Sequence, residues 1–249
     1  MARAQLRRVP LSLGAEHAVV LVQSYDVAGV RPLAPVDASA RFATPDAPFR
    51  ALTLARVPLT LASLRAGRLD ANSAFDCTGF RCTATHGHVL AARAVGLPCL
   101  AFLDDLSRRV GTAAIASAFA LLDVPSPAIP DENEARARFV TTGGNWTLSV
   151  LDALRLARSL LRRPAPWFSV LDDALRLPFP SFDDVRGVVA SDETSGWFVG
   201  YVSAAAPWIV AVHVEGCPDG CVSAALRITR WAVSRRAVAP ATPRTSTAR

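Results

Sequence analysis

The hydrophobic positions of this chain change period twice, from strand-like to helical and back to strand-like. Near the N-terminus, residues 17–23 (HAVVLVQ) form a β-branched run, and a second weak strand near Val30–Leu33 completes a predicted hairpin. Residues 34–48 are rich in Pro, Ala and Asp and are predicted to form a connecting loop. The chain is therefore expected to begin on a sheet.

The pattern then becomes helical. A helix is predicted over 51–66, ended by Gly67 and either kinked by Pro58 or turned there near its start, with four apolar residues at helical spacing: Leu54, Val57, Leu61 and Leu64. The region 88–163 is predicted to be mainly helical, and Ser149 opens one of its helices with a capping-box-like sequence. Residues 126–130 and 163–180 are predicted to be loops or short turns.

The C-terminal third returns to strands. Three β-rich runs are predicted, followed by a closing helix at 223–233 and a disordered tail at 237–249; the runs are 185–191, 196–203 and 208–215. The third is apolar almost throughout, which is typical of a strand covered on both faces.

This order predicts an α+β fold in which an antiparallel sheet is flanked by helices and carries an inserted all-α subdomain. A single domain is expected over residues 1–236. Within it, 17–67 and 185–234 would form the sheet subdomain, and 68–184 would form the mainly helical insert.

The chain contains no lysine. All 27 basic residues among its 249 are arginine, and the net charge is +6. The arginines are scattered in ones and twos without interleaved aromatics, so nucleic-acid binding is not expected. No signal segment or bilayer-spanning run is predicted either.

The five cysteines include two local pairs, Cys77 with Cys82 and Cys217 with Cys221, and a lone Cys99. Short-range disulfides and buried free thiols are both compatible with this spacing. No metal site is expected, because neither pair has C-x-x-C spacing and histidines are few, and no cofactor is expected. His86 and His88 are predicted to lie in an ordinary loop.

Six local strings occur in an order that one protein family also shows. Together they resemble the penicillin-binding transpeptidase and serine β-lactamase superfamily, with a compact arrangement similar to class D β-lactamases. The strings cover most of residues 17–234 and are Thr53–Pro58 with Leu64–Gly67, Phe75–Gly79, His86–Val89, Ala101–Gly111, Gly143–Ala157 and Gly196–Tyr201. The resemblance implies a β-lactamase/transpeptidase-like fold.

The family's catalytic positions are where the match fails. Its nucleophilic serine falls on Thr53 and the lysine three residues later on Arg56, and a guanidinium cannot accept a hydroxyl proton. Its S-x-N serine and asparagine fall on Pro98 and Leu100. The K-T-G-T strand falls on Val188, Val189, Ala190 and Ser191.

The resemblance therefore implies a catalytically degenerate domain that acts as a peptidoglycan-associated binding or regulatory module. Its expected partners are a peptidoglycan peptide, paired along Val188–Ser191, or a cell-wall synthesis protein. One alternative is an unconventional acyl-transfer enzyme using Thr53 or another hydroxyl, with His86, His88 or a carboxylate as base. Another is a structural protein without a ligand. The resembled family acts outside the cytoplasmic membrane, while the sequence alone leaves the compartment open.

Overall fold

The centre of the computed structural model is a five-stranded antiparallel sheet with strand order β2-β1-β9-β8-β7. The structure describes residues 11–24, 36–37, 46–82, 84–96, 98–162, 167–176, 184–202 and 207–236. The sheet strands are β1 (His17–Ser24), β2 (Val36–Asp37), β7 (Val185–Ser191), β8 (Ser195–Val202) and β9 (Trp208–Glu215). The first long strand therefore pairs with the last, β1 with β9.

The central strands are apolar on both faces because each face is covered. Alternate side chains of β8 and β9 point to opposite sides, as the pleat requires. Trp197 and Tyr201 join the larger apolar cluster under the middle helices, whereas Phe198 and Val212 join a second cluster under the C-terminal helix. This two-sided burial explains the nearly continuous apolar sequence of β9.

The helices lie in the middle of the chain and at its C-terminus. They are α1 (Arg56–Arg65), α2 (Ala91–Gly96), α3 (Leu100–Arg109), α4 (Thr112–Leu121), α5 (Asn133–Thr142), α6 (Val150–Leu161), α7 (Trp167–Leu175) and α8 (Cys221–Arg236). Two small antiparallel pairs accompany them, β3 (Phe49–Arg50) with β6 (Thr147–Leu148) and β4 (Ala74–Cys77) with β5 (Gly87–Leu90). None of the helices in the described ranges is long and apolar enough to cross a membrane.

The predicted α+β class is confirmed, and so are the three C-terminal strands and the closing helix, within a few residues. The capping box at Ser149 is also present, with the Ser149 hydroxyl accepting from the Asp152 backbone N–H and the Asp152 carboxylate accepting from the Ser149 N–H. The predicted strand at 30–33 and the tail at 237–249 lie outside the described residues. The boundaries proposed for the sheet subdomain and the helical insert stay predictions.

Loops were predicted at positions where the structure has regular elements. The segment 163–180, predicted to be loop, contains α7, whose Leu171 and Leu175 are buried. A short strand, β2, lies in the predicted loop 34–48. The helix expected over 51–66 is confirmed as α1 preceded by a 3₁₀ turn, Leu52–Ala55; of the two alternatives for Pro58, the turn near the start of the helix is the one observed, with Pro58 in the first turn of α1.

Candidate functional site

The segment that carries Thr53 and Arg56 runs from the 3₁₀ turn into α1. Arg56 is fully buried, whereas Thr53 is partly exposed. The Arg56 Nη1 donates to the Thr53 hydroxyl oxygen at 2.8 Å and to the Thr53 carbonyl at 3.1 Å. The one-turn spacing that would join a serine and a lysine in an enzyme here joins a hydroxyl to a guanidinium.

The second terminal nitrogen of the Arg56 guanidinium contacts the central sheet. Arg56 Nη2 donates to the main-chain carbonyl of Val189 on β7, 133 residues further along the chain. Arg56 Nε is buried and has no hydrogen-bond partner within the described part of the chain. Removal of this cation from water lowers the pKa of Arg56 to about 9, which still leaves the group protonated at neutral pH.

A protonated guanidinium has no lone pair with which to deprotonate Thr53. The histidines that might replace it have other contacts: His86 Nδ1 lies 3.5 Å from the Cys77 sulfur, and His88 pairs with Asp76 at 2.7 Å. Among the described residues, Thr53 Oγ1 has no hydrogen bond to a histidine or a carboxylate. In the described part of the chain, the Thr53 hydroxyl therefore accepts a hydrogen bond from a cation and is bonded to neither a histidine nor a carboxylate.

The four residues at the K-T-G-T position lie on β7, an edge strand of the sheet. Val188 and Ala190 point into the larger cluster beneath the helices, Val189 points to the α8 side, and Ser191 is exposed at the strand end. Although β7 has only one strand neighbour among the described elements, its middle is buried, and Arg56 already occupies the Val189 carbonyl.

The positions at S-x-N present apolar surface. Pro98 and Leu100 are partly exposed, and Leu100 packs against the larger cluster as the first residue of α3. Neither side chain offers a proton relay or a hydrogen-bond donor. Cys99 between them is buried and is the residue that precedes α3.

Two residues that the sequence analysis did not single out shape the backbone beside Thr53. Leu52 has a φ of 53°, a left-handed conformation that is costly for a branched residue. Gly143, with a φ of 81°, ends α5, and a Cβ there would lie 2.4 Å from the Leu52 carbonyl oxygen and 2.7 Å from its nitrogen. The Gly143-Gly144 pair was the available signal, since adjacent glycines favour such close backbone approach.

A group of aromatic rings lies close to the segment before Thr53, on the face of the sheet that packs against the middle helices. The ring of His213 on β9 stacks on Phe49 at 3.8 Å between centroids and lies 4.5 Å from Trp197. Trp197 Nε1 donates to the Arg50 carbonyl, so these rings fix the strand that leads into the 3₁₀ turn. Burial lowers the pKa of His213 to about 3, so the imidazole is neutral in the folded protein.

The two cysteine pairs behave differently. Cys217 and Cys221 form a disulfide at the start of α8, whereas Cys77, Cys82 and Cys99 are free thiols. The fold brings these three sulfurs together with His86, so that four potential ligand atoms lie within 4.8 Å of one another. Cys77, Cys82 and His86 lie within ten residues of the sequence, and the fold adds Cys99, a grouping that the sequence analysis did not expect.

The architecture is similar to that of solved β-lactamases, among them class D enzymes. A class D β-lactamase from Bacillus subtilis matches with a TM-score of 0.69 and 13% identity, covering 91% of this chain and 94% of that chain. The BPu1 β-lactamase matches with a TM-score of 0.70 and 13% identity, over 91% and 95% of the two chains. The class D β-lactamase BAT-2 delta mutant gives 0.69 and 13%, over 90% and 93%.

These likenesses confirm the predicted fold relationship and extend over nearly the whole chain. No protein-family model matches the sequence, and no curated protein does either. At 13% identity the likeness is one of fold, and the chemistry of the site has to be argued from the residues of this chain.

Proposed function

We propose that this chain, a domain with the class D β-lactamase fold, is a non-acylating member of that fold that acts as a binding or regulatory module in peptidoglycan metabolism. The observation that carries the proposal is Arg56. It stands where the base would stand and donates hydrogen bonds to the Thr53 hydroxyl instead of accepting its proton. The position that would activate a nucleophile serves here as a tie between α1 and β7.

The rest of the site supports the same proposal. Val188 stands where a cation would bind the substrate carboxylate. Pro98 and Leu100 stand where two polar side chains would relay a proton. Electrostatic stabilisation of a developing charge is often the largest contribution to enzymatic acyl transfer. The apolar side chains of Val188, Val189 and Ala190 cannot supply it. The general base, the S-x-N pair and the K-T-G lysine are thus all replaced. Their combined replacement argues for a site that no longer catalyses acyl transfer.

The proposed ligand is a peptidoglycan peptide or a protein that synthesises peptidoglycan, because these are the partners that the resembled family implies. Main-chain pairing along Val188–Ser191 would compete with Arg56 for the Val189 carbonyl. The outer, exposed end of β7 at Ser191 is free of that competition. A peptide strand that binds this chain is therefore expected to approach β7 from the Ser191 end.

Incubation of the folded protein with a reactive penicillin, followed by intact-protein mass spectrometry, tests the loss of acylation. We expect no covalent adduct, whereas an active class D β-lactamase treated in parallel acquires one. Thr53→Ala is the matched variant. An adduct on the wild-type protein that disappears in Thr53→Ala would contradict the proposal and select acyl transfer at Thr53. An adduct that survives in the variant would point to another nucleophile.

The acyl-transfer alternative has one observation in its favour. Thr53 keeps a partly exposed hydroxyl directly after Leu52, whose backbone is held in a rarely populated conformation, and such strain is often found at functional sites. The penicillin experiment separates this alternative from the non-acylating module.

The binding role has its own measurement. We expect the protein to co-sediment with purified peptidoglycan stripped of anionic polymers, and soluble peptidoglycan peptides to compete. Salt well above physiological strength is included because a net charge of +6 would otherwise bind anionic polymers unspecifically. Absence of sedimentation and of any cell-wall synthesis partner would favour a structural protein without a ligand.

A further inference from the structure

Three cysteines and a histidine, from the β4–β5 hairpin and from the residue that precedes α3, lie close together. Cys77 ends β4, Cys82 follows in the connecting loop, His86 precedes β5, and Cys99 precedes α3. The Cys77 and Cys82 sulfurs are 3.8 Å apart, and so are those of Cys82 and Cys99. His86 directs its Nδ1 at the Cys77 sulfur from 3.5 Å.

These distances are those between ligands of a tetrahedral zinc ion. With Zn–S bonds of about 2.3 Å and Zn–N bonds of about 2.05 Å, tetrahedral angles place two sulfurs about 3.8 Å apart and a sulfur and a nitrogen about 3.5 Å apart. The remaining pairs of ligand atoms lie within 4.8 Å, so closure by at most about 1.3 Å completes the tetrahedron.

A disulfide explains the cluster less well. Sulfurs 3.8 Å apart are not bonded, since a disulfide requires about 2.05 Å, and Cys82 is equally near two partners. Any single disulfide would leave one thiol and the imidazole without a role. A four-ligand site uses all four groups at once.

The surrounding residues hold the cluster in place without a metal. Arg81, next to Cys82, pairs with Asp104 of α3 at 3.1 Å and with Glu134 of α5. Arg108 pairs with the same two carboxylates, at 2.9 and 2.7 Å. This network ties the loop bearing Cys82 to the helix that Cys99 precedes, so the ligands are pre-positioned.

We propose that Cys77, Cys82, His86 and Cys99 bind one zinc ion. All four positions are supplied by protein, so the site is closed to substrate and its role is structural. The ion would fasten the β4–β5 hairpin to the start of α3, directly beside Pro98 and Leu100. This inference is independent of whether the domain acylates or binds peptidoglycan.

Metal analysis of the purified full chain, prepared with reductant and dialysed against metal-free buffer, tests the proposal. We expect about one equivalent of zinc per chain. Replacement of zinc by Co²⁺ should give thiolate-to-cobalt charge-transfer bands and the intense visible bands of a tetrahedral site. Cobalt replacement uses the unaltered protein, so the result does not depend on any variant folding.

Variants then assign the ligands. Cys82→Ser and His86→Ala should each lose most of the bound metal, at least tenfold in affinity. His88→Ala is the matched control, because His88 lies two residues away, is 70% exposed and pairs with Asp76 outside the cluster. It should retain a full equivalent.

Three results would overturn the proposal. One is a metal-free protein with three titratable thiols that takes up neither Zn²⁺ nor Co²⁺. Another is a mass showing a second disulfide beside Cys217–Cys221 in protein purified without reductant and unable to bind Co²⁺ after reduction. The third is full metal retention in both Cys82→Ser and His86→Ala.

Discussion

Gly143→Ala is expected to lower the free energy of unfolding by about 2–6 kcal/mol. The left-handed backbone of Gly143 costs a residue with a Cβ about 1–3 kcal/mol, and the new methyl would press on the backbone of Leu52. A collision with main chain cannot be relieved by turning a side chain, and overpacking of this kind typically adds 1–3 kcal/mol. Urea unfolding monitored by tryptophan fluorescence measures the change.

Two other glycines provide graded controls. Gly67 also has a positive φ, 63°, but a Cβ there meets nothing within 4 Å, so Gly67→Ala should cost only about 1 kcal/mol. Gly111 has an ordinary negative φ and equally open surroundings, and its alanine variant should be close to neutral. If Gly143→Ala costs no more than Gly67→Ala, the contact with Leu52 does not constrain the segment before Thr53.

Acidification from pH 7.5 to pH 4 is expected to remove about 3 kcal/mol of stability through His213 alone. Its pKa is lowered to about 3 in the folded protein, against about 6.5 when unfolded. Between these values the unfolded chain binds a proton that the folded chain does not, so stability falls as the pH falls through this window. The loss at pH 5 is about 2 kcal/mol.

His213→Phe isolates this contribution from the carboxylates that titrate in the same range. Phenylalanine keeps an aromatic ring between Phe49 and Trp197 and cannot be protonated. The difference in unfolding free energy between pH 7.5 and pH 5 should therefore be about 2 kcal/mol smaller in the variant. An equal pH dependence in both proteins would show that His213 is not kept neutral by burial.

The strands and the closing helix were predictable because the local pattern of apolar residues shows which of their faces are buried. An apolar run such as that of β9 has few alternatives to a covered strand. Helix α7 was missed because the prolines around it signal loop, while its apolar face is satisfied only by packing in the folded protein. In α7 the packing of the apolar face outweighs the loop propensity of the surrounding sequence.

The candidate site was predictable in its residue identities and not in its contacts. Thr53 and Arg56 were placed by resemblance, and the absence of lysine already excluded the usual base. The bond from Arg56 to the Val189 carbonyl joins positions 133 residues apart, which no spacing argument reaches. The cysteine–histidine cluster was missed for a different reason. Cys77, Cys82 and His86 lie within ten residues, but their spacing is not C-x-x-C, and Cys99 joins them only in the folded protein.

The pairing of β1 with β9 sets a constraint on biosynthesis. The β1 residues leave the ribosome 184 positions before β9 begins. At about 5–20 residues per second, this apolar strand waits roughly 10–40 s for β9, the partner along its full length. During that interval the edge of β1 that faces β9 is unpaired, and an open edge on a strand carrying Val19, Val20 and Val22 promotes aggregation. Shielding of this edge during translation should therefore raise the yield of folded protein.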